Sequence, residues 1–280
     1  MMSGTDQYLV VGNPINHSKS PFIHAEFAKS TGEVLTYEKL EVAKDGFVDT
    51  MSAFFAGNGK GCNVTVPFKE EAYQFATTLT ERARLAGAVN TLKLMDDGSI
   101  LGDNTDGQGL VADLLDHDVA LTGARILLIG AGGAARGVIL PLLAHQPKEI
   151  IIANRTASKA VALAESFNVH AKSHQSQITA CEMCALEGEF DVIINSTAAS
   201  LSGERPAIDA DTIGSTTVMY DMAYGVGETS SNQWAREQGA KQVIDGLGML
   251  VGQAAESFYV WRGVRPETQR VLSALRQSLA

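Results

Sequence analysis

The sequence predicts an α/β protein of two domains, and three observations carry that prediction. Apolar, β-branched runs alternate with amphipathic segments at βαβ spacing along the 280-residue chain. One such run leads into a glycine-rich turn and then a helical pattern, Ile126-Leu127-Leu128-Ile129-Gly130-Ala131-Gly132-Gly133-Ala134-Ala135-Arg136. A polar, glycine-flanked stretch, Gly102-Asp103-Asn104-Thr105-Asp106-Gly107, interrupts the alternation and marks the first domain boundary.

The first domain opens with an apolar strand, Tyr8-Leu9-Val10-Val11, stopped by Gly12-Asn13-Pro14. Ser20 is placed to cap the following helix, with Pro21 at its first position and Phe22, Ile23, Ala25 and Phe27 as its apolar face. A second strand is expected at 35–40 and a helix around 47–55. The turn Gly57-Asn58-Gly59-Lys60-Gly61 leads into the strand Cys62-Asn63-Val64-Thr65-Val66, and Pro67 ends it and begins a helix with Lys69 in the first turn. This order gives a mostly parallel sheet. Thr78-Leu79-Thr80-Glu81 has the spacing of a capping box for the next short helix. Val89–Met95 and Ser99–Leu101 flank Asp96-Asp97-Gly98, a hairpin signal.

A helix from Leu110 then leads to a strand at 125–129 and the glycine turn. Further strands are expected at 149–153, 190–194, 217–220 and 242–244, with a helix from about Ala157 to Phe167. Long helical patterns close the chain, from Met249 to about Trp261 and from Pro266 to Leu279. Strand spacing favours a doubly wound second domain.

The glycine turn has the form of a dinucleotide site. Gly130 permits a sharp turn, Gly132 leaves room for a pyrophosphate to approach the main chain, and Ala135 lets helix and strand pack closely. The free N–H groups at the helix start then face the phosphates. After the next strand, a carboxylate would select NAD by bonding the ribose 2′-hydroxyl. The chain instead has Asn154-Arg155-Thr156, with Lys159 following. Arginine engages a 2′-phosphate through paired charge-assisted hydrogen bonds, so these residues point to NADP. The alternative is an ordinary solvated loop.

With 45% hydrophobic and 19% charged residues, the chain belongs with globular proteins and not disordered ones. A formal charge of −10 argues against nucleic acid as a partner. No apolar run reaches membrane-spanning length and the first residues lack a signal-peptide pattern, so no membrane association is expected. Cys181 and Cys184 form a lone C-x-x-C, a spacing used in redox and zinc sites; without a second ligand pair they read as reduced thiols on one side of a helix spanning 179–186. The six histidines have no ligand spacing, and no metal site is expected.

Four polar clusters remain, at strand ends or beside glycines: Ser18-Lys19-Ser20, Asn63 to Lys69, Ala88 to Thr91 and Asn104-Thr105-Asp106. Taken singly, each has an alternative as a cap, a turn or a surface charge. In order and wording, together with Gly12-Asn13-Pro14, Gly130 to Ala134, Asn154 to Thr156 and Asp245 to Gln253, they resemble the shikimate dehydrogenase family along nearly the whole chain. The resemblance implies an N-terminal α/β substrate domain (1–105 plus 246–280, the C-terminal helices packing back on it) and a Rossmann-type NADP-binding domain (106–245), with the active site in the cleft between them. It also implies NADPH-dependent reversible reduction of 3-dehydroshikimate to shikimate, in the biosynthesis of chorismate and aromatic amino acids, by a cytoplasmic monomer or homodimer acting on a small molecule.

By the same resemblance Lys69 and Asp106 are the catalytic pair. Ser18 and Ser20 would bind the substrate carboxylate, and Thr65, Asn90, Tyr224 and Gln253 would complete the substrate contacts. Gly130, Ala131, Gly132, Gly133 and Ala134 would cradle the pyrophosphate, and Asn154, Arg155, Thr156, Ala157, Ser158 and Lys159 would grip the adenosine phosphate. Met222 and Gly246 fall beside the nicotinamide, and Glu81 matches a further cofactor position. Two segments depart from the pattern. Asn195-Ser196-Thr197-Ala198-Ala199-Ser200 stands where Asn-Ala-Thr and a glycine-containing turn are usual, and Gly225 to Ser231 lacks the usual Thr-Pro. A quinate/shikimate dehydrogenase of broader substrate range or NAD use is the nearest alternative, which Arg155, Lys159 and the two serines disfavour. A non-catalytic NADP-binding sensor is more distant, since it would have no use for Lys69 and Asp106.

Overall fold

The computed structural model describes residues 5–279, the side chain of Leu201 excepted. The chain forms two compact units, one running to Gly109 and taking up Val251–Ala274, the other holding Leu110–Leu250 and the chain from Leu275. The crossings lie inside helices, a few residues beyond the polar stretch at 102–107 and beyond Gly246. Residues 275–279 go with the second unit and not with the rest of 246–280, because Arg276 donates to both carboxylate oxygens of Asp245.

The first unit contains β1 (Asp6–Gly12), α1 (Ser20–Thr31), β2 (Leu35–Glu41), α2 (Phe47–Ala56), β3 (Gly59–Val64), α3 (Lys69–Phe75), β4 (Thr78–Leu79), α4 (Glu81–Ala86), β5 (Thr91–Leu94), β6 (Ile100–Asp103) and the start of α5 (Asp106–Asp116). Its strands lie in the order β2-β1-β3-β5-β6-β4. Parallel pairing joins β2-β1-β3 and β4-β6, while the β5–β6 hairpin is antiparallel to itself and to β3. Leu9, Val11, Cys62, Val64 and Leu92 from the sheet bury against Phe47, Met51 and Phe68, which makes one dry core.

Two helix starts differ from expectation by a register. Ser20 is the first residue of α1 and Lys19 occupies the cap without a side-chain bond. The capping residue of α4 is Thr80, whose Oγ1 accepts from Ala83 N at 3.2 Å; Thr78 is drawn into β4 by its pairing with Leu101.

His24 is fully buried on α1, stacked on Tyr37 with centroids 4.2 Å apart, and neither ring nitrogen has a hydrogen-bond partner. Burial pushes its pKa down to about 3, against a smaller upward pull from Asn63. The unfolded chain therefore takes up a proton below about pH 6.5 that the folded chain refuses, so His24 costs stability increasingly as pH falls from about 6.5 towards 3. His24→Phe is expected to reduce that loss, by about 2 kcal/mol at pH 5 relative to pH 8. Urea unfolding at the two pH values checks this; equal acid sensitivity in both proteins would refute it.

The second unit holds β7 (Arg125–Ile129), α6 (Gly133–Leu143), β8 (Glu149–Ala153), α7 (Ala157–Ser173), β9 (Gln177–Cys181), β10 (Phe190–Asn195), β11 (Ile213–Asp221), α8 (Ser230–Glu237) and β12 (Gln242–Asp245). Helices α9 (Leu247–Arg262) and α10 (Gln269–Leu279) follow. Its sheet is wholly parallel in the order β12-β11-β10-β7-β8-β9, the doubly wound arrangement whose order reverses between β7 and β10. Leu127, Ile129, Ile193 and Met219 are buried in its core. The segment 179–186 is not a helix: Cys181 ends strand β9, and Cys184 is exposed in a 3₁₀ turn at Met183–Ala185. Only Ile178 of β9 is buried, so this edge strand has no apolar alternation and is fixed by its pairing with β8.

Candidate active site

In the first unit, three strand ends and two helices converge on Lys69 and Asp106. Lys69 is the first residue of α3, and its carbonyl accepts from Val89 N at 2.9 Å, which sets Asn90 beside it. Asp106 opens α5, and Asn104 Oδ1 accepts its backbone N–H at 3.3 Å. The segment before it is held by Asp103, which accepts from both Arg82 Nε and Nη2 and from Thr80 Oγ1. Burial works against that carboxylate's charge, but the Arg82 guanidinium outweighs it and holds the Asp103 pKa below the usual carboxylate range.

Lys69 Nζ donates to Asp106 Oδ2 at 2.6 Å, with the two side chains 30% and 15% exposed, so the pair is reachable from solvent but partly shielded. The other carboxylate oxygen, Oδ1, accepts from Asn90 Nδ2 at 2.8 Å. Asn90 Nδ2 also reaches Thr105 Oγ1 at 2.9 Å and lies 3.4 Å from Gln253 Oε1 on α9. Lys69, Asn90, Asp106 and Gln253 are thus brought together in one cluster. Ser18 and Ser20 face each other at the start of α1, Oγ to Oγ 3.2 Å. Thr65 is half-buried at the end of β3, packed so closely on the turn after β1 that a Cβ on Gly12 would fall 2.6 Å from its Cγ2. Glu81 is the exposed first residue of α4, and among the described residues no hydrogen bond or ion pair joins it to the Lys69 cluster.

In the second unit, Gly130 follows β7 at φ 111°, a left-handed conformation that favours glycine, and its N–H donates to Ala153 O at 2.8 Å. A Cβ there would also lie 2.4 Å from Ser196 Oγ. At Gly132 and Gly133, by contrast, an added Cβ would meet nothing within 4 Å, so the start of α6 opens on free space where a pyrophosphate can approach. Ala131 is half-buried and Ala134 exposed on the same turn. Across the β7–β8 pairing, Asn154 Nδ2 donates to Thr156 O at 3.0 Å and shapes the entry to α7. Arg155, Thr156, Ser158 and Lys159 are exposed and Ala157 half-buried. Among the described residues no carboxylate pairs with Arg155 or Lys159. These groups fit an anionic dinucleotide: open N–H donors at one helix start, two unpaired cations at the next.

On the other side of the reversal point, the ends of β10, β11 and β12 align as Asn195, Asp221 and Asp245. Met222 and Gly246 therefore emerge side by side, and Gly246 N donates to Ala223 O at 3.0 Å. A Cβ on Gly246 would fall 2.0 Å from Met222 O. Gly246→Ala must push these strand ends apart, at a cost of about 1–3 kcal/mol. A lower Tm together with weaker NADPH binding is the expected result; if both stay at wild-type values, the close approach is not required. Tyr224 follows on the same loop, half-buried, and burial pushes its phenol pKa up.

The two departing segments are tied together around Asp221. This fully buried carboxylate accepts from Asn195 Nδ2 at 3.2 Å, Thr229 Oγ1 at 2.7 Å, Ala223 N at 3.1 Å and Ser200 Oγ. Ser231 Oγ completes the cluster, 2.7 Å from Ser200 Oγ, and Ser196 Oγ donates to Ile129 O at 2.6 Å beside the glycine turn. Hydroxyls thus hold both loops where the glycine-containing turn and Thr-Pro are missing. The sequence marks the two loops as departures and Thr91 and Thr105 as members of polar clusters, but singles out neither Asp221 as the anchor of those loops nor Tyr37 and Ser257. Ser257 carried a signal, lying one helical turn after Gln253 on α9.

Comparison with known proteins covers both units. The family model of the shikimate dehydrogenase substrate binding domain matches residues 10–92, that of shikimate / quinate 5-dehydrogenase residues 113–217, and that of the shikimate 5′-dehydrogenase C-terminal domain residues 246–276. The shikimate dehydrogenase (NADP(+)) of Vibrio campbellii is 60% identical over 274 residues, spanning 98% of this chain and 97% of the relative. That of Psychromonas ingrahamii is 60% identical over 275 residues, 98% of this chain and 99% of its own. Among solved structures, shikimate 5-dehydrogenase from Thermus thermophilus in complex with NADP(H) and shikimate matches with a TM-score of 0.86 at 28% identity, covering 98% of this chain and 99% of that one. This chain belongs to the shikimate dehydrogenase family.

Proposed function

We propose that this protein reversibly reduces 3-dehydroshikimate to shikimate with NADPH, using Lys69 and Asp106 as its catalytic pair. The observation that carries the proposal is the 2.6 Å contact between Lys69 Nζ and Asp106 Oδ2, with Asn90 Nδ2 on the second carboxylate oxygen. NADPH, when bound, supplies the hydride that reduces the C3 carbonyl. Negative charge then develops on the carbonyl oxygen, and Lys69 stabilises it and delivers the proton as a general acid. Asp106 holds the ammonium in place through one oxygen and is itself held by Asn90 through the other. In the oxidative direction the same pair takes the hydroxyl proton back.

Ser18 and Ser20 supply neutral hydroxyl donors for the substrate carboxylate, and Thr65, Asn90, Gln253 and Tyr224 complete the substrate contacts. Gly130 to Ala134 hold the pyrophosphate, Asn154 to Lys159 the adenosine phosphate, and Met222 and Gly246 the nicotinamide. Glu81, exposed and apart from the catalytic cluster, is the least supported of the cofactor positions. Three free cysteines are in keeping with a cytoplasmic enzyme, and monomer or homodimer is carried over from the family resemblance alone.

The test is to follow reduced nicotinamide with shikimate or quinate, each with NADP and with NAD. Fastest turnover with shikimate and NADP is expected. Turnover with quinate but not shikimate would assign a different substrate, and binding of NADP with no turnover of either would overturn the enzymatic role.

A further inference from the structure

We propose that Tyr37 and Thr91 are positioning residues in a one-way hydrogen-bond chain that runs through Asn63 and Asn90 to Asp106 of the catalytic pair. The direction of each link follows from which atoms can donate. Tyr37 Oη lies 2.7 Å from Asn63 Oδ1, an amide oxygen that only accepts, so the phenol donates. Asn63 Nδ2 only donates, to Ser257 Oγ at 2.9 Å and to Thr91 Oγ1 at 3.2 Å. Thr91 gives its single proton to Asn90 Oδ1 at 2.9 Å, while the Ser257 hydroxyl accepts from Asn63 and donates to the Gln253 carbonyl at 3.0 Å, to one side of this path. Asn90 Nδ2 then donates to Asp106 Oδ1, and Lys69 meets the opposite oxygen.

Every link from Tyr37 to Asp106 therefore runs donor to acceptor in the same sense, and aligned links of this kind reinforce one another.

The chain is kept from water. Asn63, Asn90, Thr91 and Ser257 are each under a tenth exposed, so solvent cannot readily replace a missing link. The stacked His24 ring, with no polar partner of its own, fixes the Tyr37 ring from the side. The consequence lies at Asn90. Its carboxamide can face Asp106 with N–H only while its oxygen is engaged by Thr91 Oγ1 and by Thr105 N at 2.9 Å. A flipped amide would set oxygen against carboxylate and disturb the oxygen pair that holds Lys69.

This inference rests on Lys69 and Asp106 being the catalytic pair, so Lys69→Ala belongs in the same series. Tyr37→Phe removes the phenol proton but keeps the ring stacked on His24, and Thr91→Val removes the relay hydroxyl while keeping the branched shape. Each is expected to lower kcat for shikimate oxidation about tenfold or more, the order of loss when a reacting group is allowed to drift, with KM for NADP unchanged. Because both interrupt one chain, the double variant should be no slower than the slower single one. Wild-type kcat in both single variants, or losses that multiply in the double variant, would overturn the chain while a crippled Lys69→Ala leaves the catalytic pair standing. Wild-type kcat in Lys69→Ala would instead remove the pair on which the chain is built.

Discussion

Lys69→Ala is expected to lower kcat by about 10²–10⁴-fold, the range for loss of a positioned general acid, while NADPH still binds. The size of the effect follows from what nothing else in the cluster can replace. Asn90 Nδ2 and Gln253 can donate a hydrogen bond but carry no charge, and Asp106 would face the developing oxyanion with a like charge. Removing the ammonium thus takes away the proton source and leaves Asp106 with Asn90 as its remaining side-chain donor. Steady-state kinetics in both directions, with an independent NADPH titration, separate this from a folding or binding defect. A kcat near wild type would show that the proton comes from elsewhere. Substrate KM is a weaker guide, because Lys69 also contacts the ligand in this mechanism.

Most of the candidate site is named from sequence because its parts lie in short, contiguous phrases. The turn at 130–134 announces itself through the strand before it and the helix after it, and the doubly wound sheet confirms that setting. The sequence could not show that Lys69 and Asp106 are 2.6 Å apart, since 37 residues and the β5–β6 hairpin separate them. It missed β9 because a strand with one buried side chain leaves no periodic trace. It misjudged the start of α4 because Thr78 and Thr80 both precede acidic or apolar residues at cap-like spacing, and only the pairing of Thr78 with Leu101 decides between them. The hydroxyls around Asp221 were equally invisible: Ser200, Thr229 and Ser231 look like loop filler until a buried carboxylate brings them together. Local chemistry is readable from local sequence, whereas contacts made by the fold are not.

Cofactor choice should turn on Arg155, and Arg155→Asp is expected to weaken NADPH binding by about 10–100-fold through the lost charge-assisted bonds alone, each worth about 1.5–3 kcal/mol. Repulsion between the new carboxylate and the 2′-phosphate adds to that loss. Several features concentrate the effect at this one side chain. Arg155 is exposed at the end of β8 and is not neutralised by a carboxylate among the described residues, although the chain carries a formal charge of −10. Thr156 makes no side-chain cap to α7, which leaves the first N–H groups of that helix open to an anion. Lys159 adds a second exposed cation one turn on. NADH lacks the phosphate and offers a 2′-hydroxyl that an aspartate can accept from, so its affinity should hold or improve. Titration of both nucleotides against wild type and variant, repeated at low and high salt, gives the answer. If NADPH and NADH lose equally, Arg155 serves the loop and not the phosphate; if only NADPH loses, and loses its salt sensitivity as well, the selectivity resides in this guanidinium.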